Sequence, residues 1–215
     1  MIYLAKYLNN FRHGLVINPN YKPMLLKKYK HITNTSCIVV WYHLKKNKFY
    51  YLIQKRGLNM KHGGGKLAVG GGMLEDDRDL SLQYGAVREI MEESKIKFKK
   101  TNSLTMTKKT IGQLSKHLFF LSEDENNVTF YLILVSNKIP RWNGPILADK
   151  HPFKNSRWEV DMKDDTWNNK KLKGRIHKGH CLMTSDEIKK TYNKKPKMWN
   201  YSKKTLNKLF KILED

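Results

Sequence analysis

The segment LQYGAVREIMEESKI, Leu82 to Ile96, can bury only one of its sides, and that limits the folds open to this chain. On a helix each residue turns about 100°. With a helix running from about Asp79 to Lys95, Leu80, Tyr84, Val87 and Met91 form one apolar stripe. Glu89, Glu92 and Glu93 lie opposite, the last two roughly 60° to one side and roughly 40° to the other of Glu89. Such a helix must lay its stripe on a sheet or a second helix, with the acidic edge turned away from the core.

The flanking segments supply the sheet. CIVVWYHL and FYYLIQKR, separated by the polar KKNK, predict a hairpin, because β-branched and aromatic residues surround a short polar break. HLFFL and VTFYLILV around SEDENN predict a second hairpin, and HCLM one more strand. TSDEIKKTY opens as a helix start should, and SKKTLNKLFKIL is an amphipathic closing helix. Leu206, Leu209, Phe210 and Ile212 are assigned to core packing, with a dimer contact as the alternative. Strands around a central helix indicate an α/β or α+β layered domain. No Gly/Ser-rich or Pro-rich linker divides the chain. The expected organisation is an N-terminal extension over residues 1–35 and a domain over 36–192 with a long irregular insertion at about 138–178. A C-terminal helix over 193–215 packs on that domain.

Charge enters next. Lys and Arg number 42 against 19 Asp and Glu, a formal net charge of +23. That excess suits a phosphate-rich partner such as RNA. It equally suits a lysine- and asparagine-rich residue bias, since the cations are scattered rather than gathered in one tail. Cys37 and Cys181 have no metal-ligand spacing, which argues against a disulfide scaffold or structural zinc and for a reducing, cytoplasmic setting. The opening MIYLAKYLNNFRHG is interrupted by Lys6, Asn9 and Asn10, and no apolar run reaches membrane-spanning length, so a soluble protein with no membrane partner is expected.

Against this basic background, seven of the 19 acidic residues fall between Glu75 and Glu93. Like charges three or four apart destabilise a helix by about 0.2–0.5 kcal/mol per pair. A solvated acidic face is the plain explanation. A divalent cation is the other, and Gly70, Gly71 and Gly72 stand just ahead with backbone carbonyls to offer. Carboxylates and carbonyls suit Mg2+ or Mn2+.

Here the sequence resembles the Nudix hydrolases. Their signature is Gly, five residues, Glu, seven residues, Arg-Glu, a hydrophobic residue, any residue, Glu-Glu, any residue, Gly and a hydrophobic residue. Arg88, Glu89, Ile90, Met91, Glu92, Glu93, Ser94 and Ile96 match its second half, and LAVGGGMLE resembles the strand that enters it. Departures are as informative. Counting back from Arg88 places Leu80 where the first Glu belongs and Leu74 where the Gly belongs, so the loop holds roughly two extra residues. With Gly72 as the motif glycine, Asp77 or Asp79 takes the missing glutamate's place beside Arg88. Lys95 replaces the glycine near the helix end.

The resemblance implies an α/β/α sandwich with a mixed sheet between helices, and hydrolysis of a diphosphate linked to another group. It assigns Glu89, Glu92 and Glu93, with the Gly72 carbonyl, to metal, and Arg88 to bracing a neighbouring carboxylate. Glu89, Glu159 and Glu187 are candidate general bases. Lys55 and Arg56, at a strand end, are candidate phosphate ligands, with an exposed strand edge as their plain explanation. Trp142 and Trp158, with Trp167, offer flat surfaces for a nucleobase, or anchor their long loop. The basic composition and altered motif look like the decapping Nudix enzymes of large DNA viruses, which makes capped RNA the expected substrate. Free nucleotides, dinucleoside polyphosphates and nucleotide sugars are the alternatives. A non-catalytic RNA-binding or virion protein on the same scaffold is the rival class.

Overall fold

The two longest apolar strands set the sheet. In the computed structural model, which describes residues 11–12, 14–56, 64–94, 108–138, 176–177, 180–193 and 197–215, β1 (Phe11–Arg12) and β2 (Leu15–Val16) precede β3 (Asn34–His43). β3 turns through Asn47, whose left-handed φ of 47° an asparagine tolerates, into antiparallel β4 (Lys48–Lys55). After β5 (Leu67–Ala68) and β6 (Gly70–Met73), the chain forms α1 (Leu82–Ser94) and α2 (Lys108–Ser115). The second hairpin joins β7 (Phe119–Asp124) to β8 (Asn127–Ser136), with a turn shorter than SEDENN suggested because Ser122 to Asp124 stay paired. β9 (Ile176–His177) and β10 (His180–Met183) lead to α3 (Ser185–Lys189) and α4 (Asn200–Leu213). β8 runs parallel to β3 along its whole length, and the central order is β1-β2-β8-β3-β4-β10-β9.

β3 and β4 pair only at one end. Where they part, β6 pairs with the start of β3 and β5 with the end of β4, so residues 67–73 form a wedge between them. At Val69 the wedge changes partners, and its amide donates to the Ser202 hydroxyl at 3.2 Å. Ser202 belongs to α4, which therefore ties into the wedge from the opposite side to α1.

Alternation along the strands sorts two cores. Ile38, Val40, Tyr51 and Ile53 meet Leu206, Leu209 and Phe210 of α4. Cys37, Val39, Trp41 and Leu52 meet Leu82, Val87 and Ile90 of α1 and Ile111 of α2. Helices thus cover both faces of a mixed sheet, the expected layered architecture.

Some expectations are corrected. α1 begins at Leu82 rather than about Asp79, because the Ser81 hydroxyl accepts the Tyr84 amide and its carbonyl accepts the Gly85 amide. Leu80 consequently precedes the helix and is 66% exposed, whereas Tyr84, Val87 and Met91 of the expected stripe are buried together with Leu82, Ala86 and Ile90. The N-terminal segment is no appendage where it is described: Leu15 and Val16 are buried, Leu15 pairs with Leu134, and Ile32 joins the α1 core. In α4, Ile212 is 39% exposed while Leu206, Leu209 and Phe210 are core. Cys37 and Cys181 are buried free thiols, and burial raises the Cys37 pKa. Among the described residues no helix is long and apolar enough to cross a membrane. Most of the 138–178 insertion lies outside the described residues.

Candidate active site

The glycine wedge and the acidic helix fit together by subtraction. A Cβ on Gly72 would fall on the Glu89 carboxylate, and one on Gly70 would lie 2.9 Å from Glu93 Oε2 and 2.6 Å from Ile90 Cδ1. Only a strand without side chains lets those carboxylates lie on it. Gly71, at φ 153°, has a backbone that disfavours other residues, and its amide donates to Glu93 Oε2 at 3.1 Å. This corrects the expectation that the acidic edge turns wholly away from the core: Glu93 is buried and Glu89 nearly so, while the Glu92 side chain is 35% exposed.

Arg88, at the buried root of this edge, organises the rest. Its Nε and Nη2 donate to Oδ1 and Oδ2 of Asp79, each at 2.9 Å, and Nη2 also donates to the Met73 carbonyl. Of the two aspartates the motif left open, Asp79 is therefore the partner; Asp77 is exposed. Arg88 Nη1 donates to Glu89 Oε1 at 2.8 Å and Glu92 Oε2 at 3.2 Å, and pairs with Glu75. Burial opposes the charge of this guanidinium, but Asp79, Glu89 and Glu92 more than offset that and raise its pKa further. Arg78 pairs with Glu75 and, at 3.6 Å, with Glu92. Among the described residues the four carboxylates Glu75, Asp79, Glu89 and Glu92 thus surround two guanidinium groups, and Glu93 lies beside them on the Gly71 amide.

In this arrangement Glu89 and Glu92 turn to Arg88 and Glu93 to the Gly71 amide, and no trio of His, Cys, Asp or Glu among the described residues stands ready-made for a metal. The donors nevertheless fit a hard cation: all are oxygens, they share one face, and they outnumber the local positive charges.

Other sequence candidates are placed differently. Glu187 is corrected: its carboxylate accepts the Thr184 amide at 2.8 Å, closing a capping box at the start of α3, after β10 has run away from the wedge. Arg56 is buried rather than on an exposed edge, its guanidinium 5.1 Å from the centre of the Trp199 ring. Lys55 is half-buried in the ladder opposite Leu67. Trp142, Trp158, Trp167 and Glu159 lie outside the described residues, as does Lys95.

Trp199 is the aromatic residue that sequence reasoning missed. Its amide donates to the Leu67 carbonyl, and the Leu67 amide donates to the Lys197 carbonyl, which fixes it beside the wedge. Nothing periodic in KMWNYS marks it; the proline just ahead was the only local signal.

No protein-family model matches the sequence, and no curated protein matches it. Similar solved structures include the NUDIX domain of Shewanella oneidensis NrtR complexed with ADP-ribose, at 11% identity, 97% coverage of both chains and a TM-score of 0.45. A second is a Francisella tularensis bifunctional NMN adenylyltransferase/ADP-ribose pyrophosphatase complexed with AMP and a manganese ion. It shows 16% identity over 99% of this chain, a TM-score of 0.46, and 46% of its own length is covered. This chain thus spans under half of that protein. A MutT protein from Methanosarcina mazei shares 11% identity over 84% of this chain and 94% of its own, with a TM-score of 0.38. Values this low leave the activity to be argued from the site.

Proposed function

We propose that this chain is a divalent-metal-dependent Nudix-type pyrophosphohydrolase that cleaves a nucleoside diphosphate linked to another group, with capped RNA as its substrate. The observation that carries the proposal is the seating of Glu89 and Glu93 on the side-chain-free strand Gly70–Gly72. A merely solvated acidic face has no use for that fit. Glu89, Glu92, Glu93 and the Gly72 carbonyl are the groups that would hold Mg2+ or Mn2+. When bound, the ion neutralises phosphate oxygens and lowers the pKa of a coordinated water. Arg88 holds Asp79, Glu89 and Glu92 in one array, so it is a positioning residue. Glu89, seated against Gly72 and held by Arg88, serves as the general base in this proposal.

Two features support RNA. Trp199, with Arg56 beside it, supplies a fixed aromatic surface next to the wedge, and stacking on such a ring contributes about 1–3 kcal/mol per base. Lys197, Lys204, Lys208 and Lys211 are exposed on and before α4, which carries no acidic residue within Asn200–Leu213. Cations in that spacing suit a polyanion longer than one nucleotide.

The rival, a non-catalytic RNA-binding protein, draws on the absence of a ready-made three-carboxylate metal geometry among the described residues. Product assays with capped RNA, ADP-ribose, dinucleoside polyphosphates and nucleoside triphosphates, with and without Mg2+ or Mn2+, decide between them. Metal-dependent release of phosphorylated products, lost in Glu92→Gln and Glu93→Gln proteins that remain folded, is the expected result. Tight, salt-sensitive RNA binding without turnover of any diphosphate overturns the enzymatic reading.

A further inference from the structure

Arg78 has no counterpart in the Nudix signature. Counted forward from Gly72, it stands where the first glutamate of that signature belongs, and Asp79, one residue later, takes the glutamate's place beside Arg88. Backbone and Asp79 contacts close the loop around it: the Glu75 carbonyl accepts the Arg78 amide at 3.0 Å and the Asp79 amide at 2.7 Å, and Asp79 Oδ2 accepts the Glu75 amide at 2.9 Å. A loop closed in this way does not depend on the Arg78 side chain.

The two guanidinium groups of the array differ in what they can reach. Arg88 is 2% exposed and committed to Asp79, Met73, Glu89 and Glu92, so no ligand can approach it. The Arg78 side chain is 52% exposed. Its Nη1 donates to Glu75 Oε2 at 2.7 Å, whereas its Nη2 lies 3.6 Å from Glu92 Oε1, too far for a hydrogen bond. One end of the fork is thus anchored at the rim, and the other leans on a carboxylate proposed to hold the cation. Glu75 and Glu92 are themselves 37% and 35% exposed. Ion pairs in such settings are weak, so Arg78 can change partner at little cost.

Charge favours that change. A divalent ion on Glu92 takes up the charge that now attracts Arg78, and a diphosphate drawn to the same carboxylates becomes the more concentrated anion within reach. A planar guanidinium presents paired donors that match phosphoryl oxygens. We infer that Arg78 is a substrate-binding residue that leaves Glu92 when a divalent cation binds there and donates hydrogen bonds to phosphoryl oxygens of the nucleoside diphosphate. The inference rests on the hydrolase proposal and adds to it a residue that first competes with the metal and then holds the substrate.

Arg78→Gln therefore has two effects of opposite sign. Mn2+ binding, followed by calorimetry without substrate, tightens about 2- to 5-fold, because a competing cation is gone. KM for the diphosphate substrate rises about 10- to 100-fold, the range of one hydrogen bond to a charged group, and Arg78→Lys restores part of the loss. Tm moves by no more than about 4 °C, since the broken pairs are exposed. A residue that only braces the loop gives another pattern: Mn2+ binding weakens together with Tm, and that result overturns the inference.

Calorimetric titration of ADP into Mn2+-saturated protein separates this inference from the hydrolase proposal. Wild-type protein that binds Mn2+ and ADP, with tighter Mn2+ and weaker ADP binding in Arg78→Gln, upholds the role of Arg78 even where no turnover is found. A variant that binds both as wild type does, while the wild-type enzyme turns over a diphosphate, overturns that role and leaves the hydrolase intact. Wild-type protein that binds neither Mn2+ nor ADP and turns over no diphosphate overturns both.

Discussion

Arg88 grips both carboxylate oxygens of Asp79, each at 2.9 Å, across the loop that departs most from the Nudix pattern. Both side chains are buried, so removing one charge leaves the other without its best partner. Asp79→Asn is expected to destabilise the protein by about 3 kcal/mol, the low end for a broken buried pair, since Glu89, Glu92 and Glu75 still face Arg88. In a domain of this size that lowers Tm by roughly 6–12 °C. Asp77→Asn, on the exposed alternative, is expected to change stability by less than about 0.5 kcal/mol. Equal Tm losses from the two variants in parallel thermal melts would show that the buried pair has no special weight.

Gly72→Ala separates stability from function. The new methyl group meets the Glu89 carboxylate, the far end of a flexible side chain, so the carboxylate can turn aside while the strand stays in place. The expected stability loss is at the low end of overpacking, about 1 kcal/mol. Activity is another matter, because a displacement of about 1 Å at a reacting centre can cost roughly 100-fold. A fall in kcat/KM of that order with a near-normal melt is the expected pattern. Full activity would remove Glu89 from the working geometry.

What the sequence revealed divides along physical lines. α1 was legible because its apolar residues repeat with helical period, and the two hairpins because β-branched and aromatic runs flank polar breaks. Its start was misplaced, since Leu80 continues the stripe as well as Leu82 does and only the Ser81 cap decides between them. Arg88 and the glutamates were legible from spacing, and its partner was narrowed to two aspartates two positions apart. The wedge was harder: GGGM has no strand propensity, and its pairing with β3 and β4 is set by contacts over 30 residues away along the chain for β3. Glu187 misled because a capping-box glutamate and a loop base share one sequence appearance. Trp199 was hidden because its position depends on backbone hydrogen bonds to Leu67, more than a hundred residues earlier.

Ser202 answers a problem that the wedge creates. At Val69 the strand leaves β4 for β3, and its amide is taken up by the fully buried Ser202 hydroxyl. Ser202→Ala leaves that amide buried without an acceptor, a cost of about 1–3 kcal/mol. Because Gly70–Gly72 follow at once, kcat is expected to fall alongside Tm. Leu213→Ala, at the far end of the same helix, is the control: it opens a core cavity worth about 2–5 kcal/mol but should leave kcat of the folded enzyme unchanged. If both variants lower kcat in proportion to their Tm loss, Ser202 acts on stability alone.

Alkaline pH probes the fixing of α4 to the sheet. Tyr51, in the core beneath this helix, donates to Glu214 Oε1 at 2.6 Å, and Ser185 donates to the other oxygen at 2.6 Å. Burial, then the hydrogen bond to and charge of Glu214, raise the Tyr51 pKa; burial alone raises that of Tyr192 to about 12. An unfolded tyrosine loses its proton near pH 10. Above that value the folded state holds more protons than the unfolded one, so stability falls as pH rises. The contribution is complete below about pH 10, and for Tyr192 it is lost as pH climbs towards about 12. Lysine deprotonation relieves repulsion over the same range, so the informative quantity is the difference between variants. Tyr51→Phe is expected to lower Tm at neutral pH through the lost hydrogen bond, yet to flatten the decline above pH 10 by up to about 1.4 kcal/mol per pH unit. Melts of wild-type and variant protein from pH 7 to 11.5 that stay parallel would mean that this phenol does not control the docking of α4.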